Sequence, residues 1–232
     1  MGLAHSPRIV TDGLVLALDA GNTKSYPGSG TAWTDTVGGT AATLTNGPTY
    51  SSDNGGSIVF DGTNDYINFG SVSDVNFGTG DFAVECWFLD DGSAPDYGGL
   101  VVNGQSGGSD TTSFQLGKRG VSGQTNRIEF VRGEASGSYS IYDSTNTIQS
   151  NTWTHVIATR IGTTVKLYVN GVEVDSMTDS GSYSNTALRV GVNRGAGIYW
   201  SGKISNVKLY KGKGLTETEV AQNYNALKGR YE

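Results

Sequence analysis

For most of the chain, apolar residues recur at every second position, the period of an extended strand with one buried face. Leu14, Leu16 and Leu18 alternate with Val15, Ala17 and Asp19. Ile58 and Phe60 lead into the turn Asp61-Gly62-Thr63-Asn64-Asp65, and Tyr66-Ile67-Asn68-Phe69 resumes a strand. Phe82, Val84, Cys86 and Phe88 form one face of the next strand, with Ala83, Glu85, Trp87 and Leu89 on the other. The same reading predicts strands over 113–116, 127–132, 139–142, 154–161, 165–169, 187–192 and 203–210. Gly or Asn/Asp pairs bound nearly all of them, as many short antiparallel strands require.

One hairpin stands out. Two β-branched runs, 156–160 and 165–169, flank the turn Ile161-Gly162-Thr163-Thr164. The following Asn170-Gly171 is a type I′ signal, since both central residues must accept a positive φ, and Val172-Glu173-Val174 continues beyond it. The glycine-rich stretch 91–110 shows no period and reads as surface loop, as does the shorter 133–138. A single helix is predicted over about 217–228. Thr216 and Glu219 have capping-box spacing, Val220, Tyr224 and Leu227 share one face, and Gly229 suits the C′ position. An apolar stripe of this kind docks the helix, with an edge of the sheets as its expected seat. The pattern gives an all-β, two-sheet antiparallel sandwich with a short C-terminal helix, a barrel being the alternative. Residues 1–12 read as a polar N-terminal arm and 13–232 as one domain.

Composition narrows the classes. Glycine fills 35 of 232 positions without a three-residue period, which excludes a collagen-like chain. The 12 Tyr, 7 Phe and 4 Trp exclude a disordered one. No run approaches the ~18 apolar residues of a membrane helix, so no membrane insertion is expected. Residues 1–8 lack an apolar signal core, and the one cysteine, Cys86, sits in an apolar run. Folding in a reducing cytoplasm, without export or disulfides, is therefore expected. The net charge of −6 argues against nucleic acid as a partner. That charge is uneven: residues 1–96 hold 12 acids and 2 bases, while 97–232 hold 10 acids and 14 bases. Asp in tight turns explains the first half, and an acidic face meeting a basic face on a neighbouring subunit is the alternative.

Several segments together carry a resemblance. Residues 57–67, SIVFDGTNDYI, the strand beginning Phe82-Ala-Val-Glu-Cys-Trp87, and the hairpin Thr152-Trp-Thr-His-Val-Ile-Ala158 with Val165-Lys-Leu-Tyr-Val-Asn-Gly171 resemble laminin-G-like, concanavalin A-like jelly-roll domains. So do 200–210, WSGKISNVKLY, and the terminal segment 215–227, in the family's order. Gly13–Asn22 and Tyr224–Arg230 look like versions carried by virion proteins of tailed bacteriophages. The resemblance implies two antiparallel sheets, one concave, and a fold shared by lectins, glycosidases, adhesion modules and structural domains.

Catalytic chemistry finds little support in the residues. Glycoside hydrolysis needs two carboxyls about 5–9 Å apart. The related glucanases carry Glu-x-Asp-x-Glu or Glu-x-Asp-x-x-Glu on one strand, and neither occurs here. Glu129 and Glu134 are five apart with Gly133 between, and Glu85 stands alone on its strand. His155 reads as a packed imidazole and Cys86 as an inert thiol. The resemblance also raises calcium, for which Asp61, Asn64 and Asp65 have suitable oxygens, although Asx caps of a tight turn account for the same residues. No other cofactor is expected. Sugar rings stack on exposed aromatics, and the candidates are Tyr97, Trp33, Tyr183, Tyr199 and Trp200, the last also suiting core packing.

These readings combine into one expectation: a non-enzymatic decoration or fibre-type protein of a phage virion, made in the host cytoplasm. It would be present in multiple copies or as a homo-oligomer beside other capsid or tail proteins, with its lectin-like fold mediating adhesion to surface glycans. A free lectin and a glycoside hydrolase of the same fold are the alternatives.

Overall fold

A computed structural model describes residues 7–104, 112–120, 126–134, 137–142, 147–195 and 197–232, with backbone only for 134 and 137–142. Two antiparallel sheets face each other. Sheet A runs β14 (Val172–Thr178), β13 (Thr164–Val169), β12 (Trp153–Ile161), β7 (Phe82–Asp90), β16 (Ser201–Lys211), β5 (Ser57–Asp61) and β4 (Thr49–Ser51), with β1 (Leu14–Asp19) also pairing on β16. Sheet B runs β11 (Gly137–Tyr142), β10 (Ile128–Glu134), β9 (Phe114–Lys118), β8 (Gly99–Asn103), β15 (Ala187–Val190), β6 (Tyr66–Ser71), β3 (Ala41–Thr45) and β2 (Ala32–Thr34). The two-sheet sandwich predicted from the alternation is the fold observed.

The alternation shows why the layers meet as they do. Phe82, Val84, Cys86 and Phe88 of β7 point into the core against Phe114 and Leu116 of β9 and Ile128 and Phe130 of β10. Phe77, Phe82, Phe114, Phe130 and Tyr183 form a ring stack at one end, with Phe77 and Phe82 4.8 Å apart and nearly parallel. The other face of β7 is buried as well. Helix α1 (Glu217–Leu227) lies over β7, β12 and β16, and Val220 closes a second cluster with Ala83, Ile157, Tyr168, Tyr210 and Leu215. The helix thus covers the outer face of sheet A, not an edge. Its stripe is matched by apolar residues on the outward positions of three central strands.

The local signals fare differently. The Thr216–Glu219 capping box is formed in both directions. The helix does not stop on a left-handed Gly229, but tightens into a 3₁₀ turn over Lys228–Arg230. Asn170 and Gly171 take φ of 51° and 81°, as the type I′ reading requires. The stretch 91–110 is not all loop, because β8 crosses the middle of sheet B inside it. Leu100-Val101-Val102 is buried on both faces and so has no alternation to detect. Positions 105–110 lie outside the described residues. The 133–138 loop is shorter than expected, with β10 reaching Glu134 and β11 starting at Gly137. The short strands β2, β3 and β4 went unpredicted.

The uneven charge resolves within the chain. Asp12, Asp19, Asp53, Glu85 and Asp90 pair with Lys213, Arg230, Lys203, Lys208 and Lys118, so acids of the first 96 residues meet bases of the rest. Asp35, Asp61, Asp90 and Asp91 also accept nearby turn amides, as the Asx reading expects. Residues before β1 fold back onto the helix. The Val10 amide donates to Asn223 Oδ1 at 2.8 Å, and the Arg8 carbonyl accepts from Gln222 Nε2.

Candidate functional site

Two polar clusters lie on opposite outer faces of the sandwich. The first is closed. Register places Ile157, Glu85 and Lys208 in one cross-strand row and His155, Trp87 and Asn206 in the next, all beneath α1. Lys208 Nζ donates to Glu85 Oε1 at 2.7 Å, Asn223 Nδ2 donates to Oε2 at 2.7 Å, and His155 Nε2 stands 3.2 Å from Oε1. Burial alone would push the Glu85 carboxyl upward, but Lys208 and His155 outweigh it and hold the group at about 2. Burial lowers the pKa of His155 despite Glu85, and the imidazole stacks on Trp87 at 4.8 Å. Burial also drives the Cys86 thiol far above its ordinary range. With every member of this cluster out of solvent, it holds the helix to the sheet and offers no route to a ligand.

The second cluster occupies the outer face of sheet B. Because Phe114, Leu116, Ile128 and Phe130 point inward, Gln115, Arg119, Arg127, Glu129 and Val131 fall on the outward positions of β9, β10 and their flanks. The same row continues through Val102 and Arg189 to Asn68 and Thr43. Gln115 links the parts: its Nε2 donates to the Tyr97 carbonyl at 3.1 Å and its Oε1 accepts from the Arg194 amide at 3.0 Å. Arg189 donates to the carbonyls of Gly104 (2.6 Å) and Arg194 (3.0 Å). Arg119 NH1 stands 3.3 Å from Glu129 Oε2. Burial pushes the Glu129 carboxyl up to about 7, while Arg119 and Arg194 pull against that rise.

Two of the five predicted aromatics belong to this face. Tyr97 is 43% exposed, with its ring laid on Gly120; a Cβ there would stand 2.3 Å from the ring. Its φ of 63° is a left-handed conformation that a non-glycine residue adopts at some cost, fixed here by the Gln115 bond. Tyr199 is half-buried with its ring 6.3 Å from that of Tyr66, both beside Arg189. The other three cannot stack on a sugar, because they are core residues. Trp33 is wholly buried in β2. Tyr183 lies among phenylalanines with its hydroxyl on Asp179. Trp200 packs edge-on against Phe88 at 5.4 Å.

The acidic turn has its own arrangement. Asp61 Oδ1 accepts the Thr63 amide at 2.8 Å, Asp65 Oδ2 accepts the Asp61 amide at 3.2 Å, and the Asn64 carbonyl accepts from Asn46. Among the described residues, no group of three or more His, Cys, Asp or Glu side chains is placed to share a metal ion. Sequence reasoning missed Gln115, Arg119, Arg127, Arg189 and Arg194. The polar residues alternating with Phe114 and Leu116 on β9, and with Ile128 and Phe130 on β10, were the available signal.

Comparison with known proteins places this geometry. A family model described as the concanavalin A-like lectin/glucanases superfamily, of laminin G type, matches residues 61–221. Domain 4 of AbnA, a GH43 extracellular arabinanase from Geobacillus stearothermophilus solved with arabinotriose, superposes with a TM-score of 0.70 at 21% identity. That match covers 91% of this chain and 98% of the domain. The binding domain of Paraclostridial Mosquitocidal Protein 1 superposes at 0.68 and 17% identity, over 92% of this chain and 52% of that one. Trypanosoma rangeli sialidase in complex with sialic acid superposes at 0.67 and 16% identity, over 98% of this chain and 36% of the enzyme. The chain thus spans about a third of the sialidase and half of the mosquitocidal binding domain. The comparison with curated proteins gave no match.

Proposed function

From the premise that this chain belongs to the concanavalin A-like lectin/glucanase superfamily, we propose that it is a non-enzymatic glycan-adhesion module. The observation that carries the reading is the Tyr97–Gln115–Arg194 linkage. Through the Tyr97 carbonyl and the Arg194 backbone amide it ties together the two loops that bring an exposed aromatic ring and a guanidinium to one outer sheet face, with the Tyr66–Tyr199 pair also on that face. Aromatic faces stack on sugar rings, and fixed polar groups read hydroxyls. The arabinotriose complex of the arabinanase domain, on the same fold, supports a saccharide as the class of ligand. Glu129, the carboxyl among the described side chains of this face, is engaged by Arg119, which favours binding over acid–base chemistry. Use of Asp61 and Asp65 as turn caps supports a calcium-independent fold, for which EDTA should leave the melting temperature unchanged.

The test is saccharide binding by the full chain. Tyr97→Ala and Tyr199→Ala should each weaken binding about tenfold with the fold intact. Unchanged binding in both, or sugar release by the purified protein, would overturn the proposal. The module is further proposed to ride, in multiple copies, on the particle of a tailed bacteriophage, a setting supported by the likeness of Gly13–Asn22 and Tyr224–Arg230 to virion proteins. Mass spectrometry of purified particles tests that setting, and absence from them would refute it.

A further inference from the structure

Among the described residues, the outer face of sheet B is basic within an acidic protein. Among its described side chains, the guanidinium groups of Arg119, Arg127, Arg189 and Arg194 stand against the single carboxylate of Glu129, while the chain as a whole carries −6. Two of these guanidiniums have unused capacity. Arg189 is only 5% exposed, and its NH2 group is bonded to two carbonyls, yet its buried Nε–H makes no hydrogen bond. The buried Nε–H of Arg127, at the start of β10 opposite Arg119, makes none either. A buried donor left without an acceptor costs about 1–3 kcal/mol, and a side-chain shift that turned the guanidinium of Arg127, at a half-exposed position, onto a ligand oxygen would offset it. The hydroxyl oxygens of a neutral saccharide can accept the same N–H groups, but only an anionic group adds the attraction of four guanidiniums that face a single carboxylate.

We propose that this face selects acidic saccharides, with ligand carboxylate or sulfate groups pairing with the half-exposed Arg127 and Arg194 above the buried charge of Arg189, while the sugar ring rests against Tyr97 or Tyr199. The guanidinium fork suits both anions, because each offers two oxygens in the plane of its N–H groups. Half-protonation of Glu129 near neutral pH reduces its repulsion of such a ligand. The inference rests on the glycan-adhesion reading and extends it to a ligand class.

The experiment titrates the full chain with an oligogalacturonate and a chondroitin sulfate oligosaccharide, and in parallel with a neutral gluco-oligosaccharide and a short oligothymidylate. Acidic saccharides should bind at least tenfold more tightly than the neutral one and lose affinity as salt rises. Arg127→Gln, at a half-exposed position and so tolerable to the fold, should remove about tenfold from acidic binding and little from neutral binding, while Arg194→Gln should weaken both, the acidic binding more. The two acidic ligands separate carboxylate from sulfate recognition. Equal affinity for the neutral sugar, arginine variants that bind as the parent does, or oligothymidylate binding as tightly as the acidic sugars would each overturn the proposal. If neutral binding persists and falls in Tyr97→Ala, adhesion stands and the acidic preference fails. If no saccharide binds, both fail.

Discussion

Replacing Lys208 with Met isolates the buried ion cluster beneath the helix. The substitution keeps the side-chain volume but leaves the Glu85 carboxylate, wholly out of solvent, without the ammonium 2.7 Å away. In the parent chain that carboxyl titrates at about 2 rather than 4.5, a difference worth about 3 kcal/mol at neutral pH. Breaking one partner of a buried pair costs about 3–5 kcal/mol. Urea unfolding at pH 7 should therefore show Lys208→Met destabilised by about 3–5 kcal/mol with an unchanged m-value. The double variant Glu85→Gln/Lys208→Met should recover most of the loss, since no charge is then stranded. The pH profile supplies a second check. Because the folded pKa of Glu85 lies below its unfolded value, its stabilisation is complete above about pH 4.5 and is lost as pH falls through about 2. His155, held neutral by burial, works in the same sense below about pH 6.5, because the unfolded chain binds its proton more readily. Glu85→Gln should flatten the limb between pH 4.5 and 2. A loss under about 1 kcal/mol in Lys208→Met, or a double variant no better than the single one, would refute the reasoning.

Glu129 predicts the opposite pH trend. Its folded pKa is raised to about 7, so its contribution is complete below about pH 4.5 and is lost as pH rises through 7. Glu129→Gln should gain on the parent by up to about 3 kcal/mol between pH 5 and 8 in chemical denaturation. Gly120→Ala should displace the Tyr97 ring and weaken saccharide binding about tenfold with little change in melting temperature, read by titration and calorimetry. Thr216→Ala removes the helix cap and should cost about 1 kcal/mol, seen as a melting temperature lower by about 2–4 °C.

What could be read in advance followed the reach of each signal along the chain. Strand β7, the β12–β13 hairpin and the Thr216 cap are encoded within a dozen residues, so alternation, turn chemistry and capping spacing reveal them. β8 escapes because burial on both faces removes the polar half of the pattern. The site was half legible. Tyr97 and Trp200 both follow glycine-containing turns, and only the packing of Phe88 on Trp200 separates the exposed ring from the buried one. Arg189 and Asn68 share a row because β15 pairs with β6, strands more than a hundred residues apart, which no local pattern encodes. The uneven charge was visible in the composition, but its pairing across the two halves depends on the same long-range topology.

The pairing of β1 with β16, and of Asp19 with Arg230 across a separation of 211 residues, bears on how the protein is made. At about 5–20 residues per second, the first strand leaves the ribosome roughly 10–40 s before its partner exists. Leu16 and Leu18, both fully buried in the finished sandwich, spend that interval uncovered. Neither sheet can close from a partial chain, because β16 is central to one of them and β15 to the other. Closure of the sandwich therefore waits for β16 and is slow for the size of the domain, as expected when most contacts join distant parts of the chain. Destabilising changes in the last thirty residues should appear first as aggregation during synthesis, before they register as a lower melting temperature.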